Sequence, residues 1–285
     1  MSIRPAARVS AATPALVFAL AVSAATVEAQ QPAFPLAPNP PTGLTVSPFF
    51  EGWFANPDGT FDVSLGYFNR NSRESLYIPR GPDNFIVPAE FDGFQPEHFP
   101  PRRVRGVFTI TLPAEMVEAG QRVTWTLINR GDTLSVPAGA RILSYELAYG
   151  PMAMGSLPPV IRFEAGGEGG RGPRGIMSPM TFRATAGAPL TLRLWATDES
   201  MRATGASFPV GVSWVTHQGP AVATFTDEVM TEEPGGGEAT VTVTFSEPGE
   251  YVLRAQADNF DAPDSGAGDQ CCWSNGYYRV TVTPE

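Results

Sequence analysis

The fold is decided by residues 238–256, which read EATVTVTFSEPGEYVLRAQ. Before the turn at Pro248 and Gly249, apolar side chains alternate with threonines, and after it Tyr251, Leu253 and Ala255 occupy every second position. Successive side chains of a strand point to opposite faces, so this two-residue period places the apolar side chains on one face. A proline-glycine pair between two such runs marks a turn. The stretch therefore predicts two consecutive strands, each with one buried face.

The same period recurs along most of the chain. It is found in short runs bounded by Gly, Pro, Asn and Asp, at 61–67, 104–112, 123–127, 190–195 and 278–282. Patterns with the helical period are scarce. Strands at short spacing with no helices between them are typical of antiparallel sandwiches. The sequence therefore predicts an all-β protein built from antiparallel β-sandwiches.

A signal peptide is predicted at the start of the chain. An apolar run from Ala15 to Ala25 follows Arg4 and Arg8 and leads into a small-residue pattern that ends at Ala29. The run is shorter than the roughly 20 residues that a membrane-spanning helix needs. Its charged front and small-residue end are those of a cleavable signal, with an uncleaved anchor as the alternative. We expect an exported protein in the periplasm, at the cell surface or outside the cell.

Two domains are expected in the mature chain, because it is longer than the roughly 100 residues of one sandwich domain. Glycines and prolines cluster between residues 150 and 159 and mark a boundary there. The predicted organisation is a signal peptide at 1–29, a proline-rich leader at 30–41, an N-terminal β-sandwich domain at 42–150, a linker at 151–159 and a second β-sandwich domain at 160–285.

The charge of the chain narrows the classes of partner. The formal net charge is −10, and all 19 basic residues are arginine. An acidic protein repels phosphate backbones and anionic lipid headgroups, which disfavours nucleic acid and direct membrane binding. No segment after the signal is long and apolar enough for a transmembrane helix. We expect an extracellular glycan or an envelope protein as partner, with the oligomeric state left open.

Three motifs stand out in the second half: Ser213-Trp214-Val215 at the third strand, the turn and tyrosine from Glu247 to Tyr251, and the final strand from Tyr277 to Val282. They resemble an immunoglobulin-like domain of the polycystic-kidney-disease (PKD) or a related bacterial type. The resemblance implies an immunoglobulin-like sandwich at 160–285, with Tyr251 in a tyrosine corner and Trp214 packed between the sheets. It also implies an adhesive or spacing role.

The second half departs from the pattern of PKD repeats and also from that of antibody domains. The glycine-aspartate-glycine turn of PKD repeats is missing after Trp214, and leucines (Leu192 or Leu194, and Leu253) stand where antibody domains carry their disulfide. The first half, in segments 56–59, 66–71 and 81–85, resembles exported bacterial proteins that have no activity we can name.

Cys271 and Cys272 are the only cysteines, and they are adjacent. Consecutive Cα atoms lie about 3.8 Å apart, which is less than the span of roughly 4.4 to 6.8 Å in an ordinary disulfide. A bond between neighbours is therefore strained and comparatively easy to reduce. In an oxidising compartment we expect either this vicinal disulfide or thiols that are free or paired between molecules.

A calcium site is one hypothesis for the loop before the cysteines. Asp258, Asp261, Asp264 and Asp269 lie in this glycine-containing loop. Converging carboxylates bind calcium, which takes about six to eight oxygen ligands. Aspartates are also common in solvated turns because their side chains bond local backbone. Calcium is the one candidate cofactor, and a solvated turn is the alternative.

Aromatic side chains supply the candidate binding residues. Trp53, Phe54, Phe91 and Phe94 lie among Gly, Asn, Asp and Pro in the first half, and Trp273 follows the cysteine pair. Sandwich cores bury most such rings, but rings in loops also form stacking platforms for sugars or anchors for protein partners. We predict a recognition surface from these five residues, with burial in the core as the alternative.

The sequence carries no catalytic signature. Its two histidines, His98 and His217, lie in different predicted domains, and neither G-x-S-x-G nor H-E-x-x-H occurs. His98 lies next to Glu97, and Glu90 with Glu97 is a candidate pair of carboxylates for sugar hydrolysis, a pairing that has no sequence signature. If the protein is an enzyme, Glu90, Glu97 and His98 are therefore the suspects. The sequence favours a non-enzymatic binding, adhesion or envelope-structural protein. A secreted hydrolase that attacks an extracellular polymer through carboxylates is the alternative.

Overall fold

The alternating segments form strands, as predicted. A computed structural model of the chain describes residues 40–147, 155–203, 205–226, 229–231, 233–259 and 272–285. In these ranges the helical structure is limited to one short α-helix, α1 (Ala114–Glu118), and two 3-10 turns, Ala89–Phe91 and Leu143–Tyr145. The predicted all-β class is confirmed. The predicted signal peptide and most of the leader lie outside the described residues.

Two small sheets enclose the core of the first half. Between residues 40 and 147 the strands are β1 (Val46–Ala55), β2 (Phe61–Asn69), β3 (Leu76–Tyr77), β4 (Asn84–Val87), β5 (His98–Phe99), β6 (Arg102–Leu112), β7 (Val123–Asn129) and β8 (Asp132–Ala138). One antiparallel sheet has the order β1-β2-β6, another has β4-β7-β8, and β3 pairs with β5. Leu65, Phe108 and Trp125 are buried in the core that the two three-stranded sheets share.

Two five-stranded sheets form the second half. The strands are β9 (Val160–Arg162), β10 (Gly169–Gly170), β11 (Ile176–Thr185), β12 (Pro189–Thr197), β13 (Gly211–Gln218), β14 (Thr224–Phe225), β15 (Val229–Met230), β16 (Gly236–Thr244), β17 (Gly249–Asp258) and β18 (Trp273–Thr283). The sheet orders are β10-β9-β12-β16-β14 and β11-β18-β17-β13-β15. Strand β11 runs parallel to β18, and the other pairs of its sheet are antiparallel. This order corresponds to the ABED and GFC sheets of an immunoglobulin fold.

The tyrosine corner is present. Tyr251 lies near the start of β17, and its hydroxyl donates a 2.9 Å hydrogen bond to the backbone oxygen of Glu247. Its ring is 2% exposed and packs 4.7 Å from the ring of Phe245. Trp214 on β13 is buried in the same core, as are Leu192 and Leu253. The predictions for Tyr251 and Trp214 are confirmed.

Each half has a hydrophobic core of its own, and the described residues from 40 onward belong to one compact unit. Residues 148–154, which include the first four residues of the predicted linker at 151–159, lie outside the described ranges. The domain boundaries therefore stay a prediction.

The first part of β18, from Trp273 to Tyr278, is buried on both faces, whereas from Arg279 onward every second residue is at least partly exposed. Tyr278 points into the core of the second half, whereas Tyr277 and Asn275 point the other way and are equally buried. Tyr277 Oη donates to the backbone oxygen of Val107 at 2.9 Å, and Asn275 Nδ2 donates to that of Gly106 at 2.7 Å. The second face of this first part of β18 is thus buried against β6 of the first half.

Gly106 makes this close approach possible. Its φ is +51°, a left-handed conformation that side chains disfavour. A Cβ at this position would lie 2.8 Å from the indole ring of Trp273. Strand β2 is likewise buried on both faces, since Asp62, Ser64 and Gly66 are as inaccessible as the core residues between them. The expectation of half-buried strands is therefore wrong for β2, whereas in β18 it holds from Tyr278 onward.

The tyrosine corner provides a test of the fold. In Tyr251→Phe the ring stays in the core but the backbone oxygen of Glu247 loses its donor, so the free energy of unfolding should fall by about 1 kcal/mol. Urea denaturation measures the change. The control is Tyr77→Phe, whose residue is 49% exposed and which should change stability by less than about 0.5 kcal/mol. Equal losses in the two variants would contradict the corner.

Candidate binding site

Glu97, the first catalytic suspect, is bonded into the junction between the halves. Its Oε1 accepts the backbone N–H of Arg80 at 3.1 Å and the Arg80 Nε at 3.0 Å. Its Oε2 accepts the backbone N–H of Gly219, in the second half, at 2.9 Å. The backbone N–H of Glu97 donates to the oxygen of His217 at 2.8 Å. The carboxylate is buried and joins three chain segments.

His98, the second suspect, is held in the same junction. Its Nε2 donates to the backbone oxygen of Gly219 at 2.8 Å, and its ring stacks on that of Tyr77 with the centroids 4.7 Å apart. Burial lowers the pKa of this imidazole below its ordinary value. The side chain is therefore neutral near pH 7 and serves as a hydrogen-bond donor between the halves.

His217 and Gln218 complete the junction from the second half. His217 Nε2 donates to the backbone oxygen of Phe94 at 2.7 Å. Gln218 Nε2 donates to the oxygens of Gly93 and Gln95 at 3.1 and 2.8 Å. Burial lowers the pKa of His217 to about 3, and the positive charge of Arg254 acts in the same direction. The contacts of Glu97, His98 and residues 217–219 are called the junction clamp below.

The remaining enzyme suspect, Glu90, lies apart from the clamp. It is exposed in the 3-10 turn Ala89–Phe91. A general acid or base must reach the proton that it transfers, whereas both oxygens of Glu97 accept bonds from the chain itself. In the described structure the clamp contacts give Glu97 and His98 a structural role.

Two of the five predicted aromatic residues, Trp53 and Trp273, are buried, and Phe91 and Phe94 are partly buried. Trp53 is 5% exposed, and its Nε1 donates to the backbone oxygen of Ile142 at 2.9 Å. Trp273 is 2% exposed. Phe91 packs against the core of the first half, and Phe94 contacts the rings of His217 and Tyr277 across the junction. The structure does not bring these rings together on an exposed surface.

Phe54, the fifth aromatic residue, lines a groove that both halves build. This junction groove has a volume of about 380 Å³, within the range of small-ligand sites. The first half contributes Phe54, Asn56, Asp62 and Glu146, and the second half contributes Arg171 and Arg174. Except for Phe54, none of these residues was singled out from the sequence, because the groove joins segments more than 100 residues apart that share no motif.

Asp62 and Arg174 face each other across the junction groove without a direct hydrogen bond. Asp62 Oδ1 accepts the hydroxyl of Thr111 at 2.6 Å, while Oδ2 lies 3.6 Å from Nη1 of Arg174. A separation of 3.6 Å is too long for a hydrogen bond. The Asp62 side chain is 4% exposed, whereas that of Arg174 is 52% exposed. Asp62 Oδ2 can therefore accept, and Arg174 Nη1 can donate, a hydrogen bond to a ligand atom placed between them.

A larger groove of about 520 Å³ lies within the first half, between segment 74–79 and the turn from β7 to β8. Its charged residues Glu74 and Arg130 are bonded to each other, and Glu74 also accepts the backbone N–H of Gly43 at 2.8 Å. Two of the three charged side chains of this groove are thus engaged within the chain, and the third, Asp83, is exposed.

The predicted calcium loop and disulfide fall largely outside the described residues. Asp258 is the last residue of β17, while Asp261, Asp264, Asp269 and Cys271 are not described. Cys272 is buried. Among the described residues, no three His, Cys, Asp or Glu side chains are grouped so that they could hold a metal ion. Calcium binding and the vicinal disulfide stay predictions.

Comparison with known proteins identifies no family. No family model and no curated protein matches the sequence. Among solved structures, the D00–D0 domain of intimin is 14% identical and covers 84% of this chain and 100% of its own, with a TM-score of 0.26. Domains 4 and 5 of the S-layer protein SbsC are 14% identical over 76% of this chain and 90% of theirs (TM-score 0.25).

The adhesin InvE of Yersinia pseudotuberculosis is also 14% identical, over 83% of this chain and 58% of its own, with a TM-score of 0.25. Similarities at this level say nothing about what the chain binds. In the part of the chain that the structure describes, the helices lack the length and apolar character needed to span a membrane.

The two buried histidines predict an acid-sensitive junction. A histidine that is neutral when folded but has a pKa of about 6.5 when unfolded stabilises the fold fully above pH 6.5, and loses that contribution as the pH falls. For His217 the loss extends towards pH 3. The free energy of unfolding should therefore drop between pH 6.5 and 5 with a slope approaching about 1.4 kcal/mol per pH unit for His217.

Urea denaturation at several pH values measures this slope. His217→Gln keeps an amide donor for the oxygen of Phe94 but cannot titrate, so its slope should be smaller than that of the wild-type protein. His98→Gln should reduce the slope in the same direction. A wild-type slope retained in His217→Gln would contradict a neutral, buried His217.

Proposed function

We propose that this chain is an exported, non-enzymatic binding protein that recognises an extracellular glycan or an envelope protein through the junction groove. One observation carries the proposal: a groove lined by an aromatic ring and several polar side chains is built jointly by two sandwiches that the junction clamp holds together. A binding site needs groups at fixed positions more than it needs a reactive group.

The junction clamp supports this proposal by fixing the two walls of the groove. Arg171 and Arg174 belong to the second half, whereas Phe54 and Asp62 belong to the first. If the halves moved independently, ordering them on binding would cost affinity. The buried hydrogen bonds of Glu97, His98 and His217 remove much of that cost before the ligand arrives.

Glu97 also distinguishes binding from the hydrolase alternative. A glycosidase needs two carboxyl groups that flank the scissile bond, and Glu97 accepts bonds from Arg80 and Gly219 instead. In the proposal Glu97 therefore stabilises the junction between the halves. Its removal should loosen the junction, and should not abolish a reaction.

The test begins with the chain lacking residues 1–29, applied to a glycan array and used to capture envelope proteins, with and without calcium. Each candidate ligand is then titrated directly, and the same ligand is incubated with the protein to detect cleavage. We expect saturable binding and no products. Glu97→Gln should lower the free energy of unfolding by about 1.5 to 3 kcal/mol, as loss of hydrogen bonds to a charged group does.

The matched control is Glu90→Gln, an exposed carboxylate that should change stability by less than about 0.5 kcal/mol. Cleavage of a polymer by the wild-type protein that disappears in Glu97→Gln, while binding persists, would contradict the proposal and support a hydrolase.

A further inference from the structure

We propose that the junction groove binds an uncharged sugar, with Asp62 and Arg174 sharing one of its hydroxyl groups and Phe54 contacting the apolar face of its ring. This inference rests on the function proposed above and names the chemical class of the ligand. It depends on the arrangement of three side chains that come together only in the folded chain.

The gap between Asp62 and Arg174 matches a hydroxyl group. Asp62 Oδ2 and Arg174 Nη1 are 3.6 Å apart, so one oxygen atom can lie about 2.8 Å from both. A hydroxyl is both a donor and an acceptor. It can donate its hydrogen to the carboxylate and accept one from the guanidinium, which neither a carboxylate nor an ammonium ligand can do.

The mixed charges around the junction groove disfavour strongly charged ligands. An anionic ligand that approaches Arg174 also meets the carboxylates of Asp62 and Glu146. A cationic ligand meets Arg174 and Arg171, although Arg171 is already bonded to Glu199. Since like charges at close range repel, a neutral molecule rich in hydroxyl groups suits these walls better than either ion.

The position of Asp62 is costly for the fold and fits a binding role. It lies in the middle of the sheet on β2, between the core residues Phe61 and Val63, and its side chain is 4% exposed. A buried charge needs compensating hydrogen bonds. Thr111 supplies one bond to Oδ1, and Arg174 compensates Oδ2 only from a distance. A ligand hydroxyl would supply the second hydrogen bond.

Phe54 provides the apolar part of the site. Its side chain is partly exposed in the groove wall beside Asn56. Ligand sites combine apolar and aromatic walls with a few polar groups that fix orientation. A sugar ring has this double character, with hydroxyls around its edge and C–H groups on its face. The Asp62–Arg174 pair would bind a hydroxyl at the edge of the sugar, and the phenyl ring of Phe54 would contact the C–H groups on its face.

The experiment titrates the chain lacking residues 1–29 with neutral, uronate-containing and sulfated oligosaccharides by calorimetry. The tightest neutral binder is then tested on variants of the groove. Arg174→Ala should weaken binding about tenfold, the loss expected for one hydrogen bond to a charged group. Phe54→Ala and Asp62→Asn should also weaken it. Because Arg174 is half exposed and lies 3.6 Å from Asp62, its removal should lower the unfolding temperature only slightly and leave the protein folded at the temperature of the titration.

The controls are Arg183→Ala and Asp132→Asn, which remove exposed charges outside the groove and should leave affinity unchanged. Three results would overturn the inference while the proposed function stands: a neutral sugar whose affinity is the same in Arg174→Ala, binding confined to charged oligosaccharides, or direct binding of an identified envelope protein with no sugar bound. Absence of saturable binding to any of these ligands would overturn both.

Discussion

The carboxylate of Glu97 fastens the two sandwiches from inside their junction. It accepts hydrogen bonds from Arg80 on its own side and from the backbone of Gly219 on the other. Hydrogen bonds to a charged group contribute about 1.5 to 3 kcal/mol each, and leaving such a group buried without partners costs more. His98, His217 and Gln218 add hydrogen bonds from uncharged side chains to backbone oxygens around it. The contact between the two halves is therefore directional as well as buried.

The position of the junction groove follows from this clamp. Arg174 comes from a loop of the second half, and Asp62 from a strand of the first. The distance of 3.6 Å between Asp62 Oδ2 and Arg174 Nη1 is maintained only if the two halves keep one arrangement. The burial of Tyr277 and Asn275 against Gly106 and Val107 fixes that arrangement along a second line of contact. Recognition in the proposed function therefore depends on residues that never touch the ligand.

The sequence predicted the strands with a clear two-residue period, such as β2, β6, β12, β16 and β17, but not what covers the second face of β2 or of the first part of β18. The alternation around Tyr251 and Leu253 correctly indicated the core of the second half, and the turn before Tyr251 correctly indicated the corner. The same period left Asn275 and Tyr277 without a role, because a strand pattern identifies two faces and says nothing about a neighbouring domain.

Glu97 and His98 were suspected of catalysis because they are ionisable neighbours, and their partners at residues 217–219 lie about 120 positions away. Of the candidate site, only Phe54 was predicted. Asp62 and Arg174 meet through tertiary packing that no local motif records.

The most direct measurement of the central claim, that the junction clamp locks the two halves together, is differential scanning calorimetry of the chain lacking residues 1–29. A locked junction predicts one cooperative transition whose calorimetric and van't Hoff enthalpies agree, whereas two separable transitions, one for each sandwich, would contradict it.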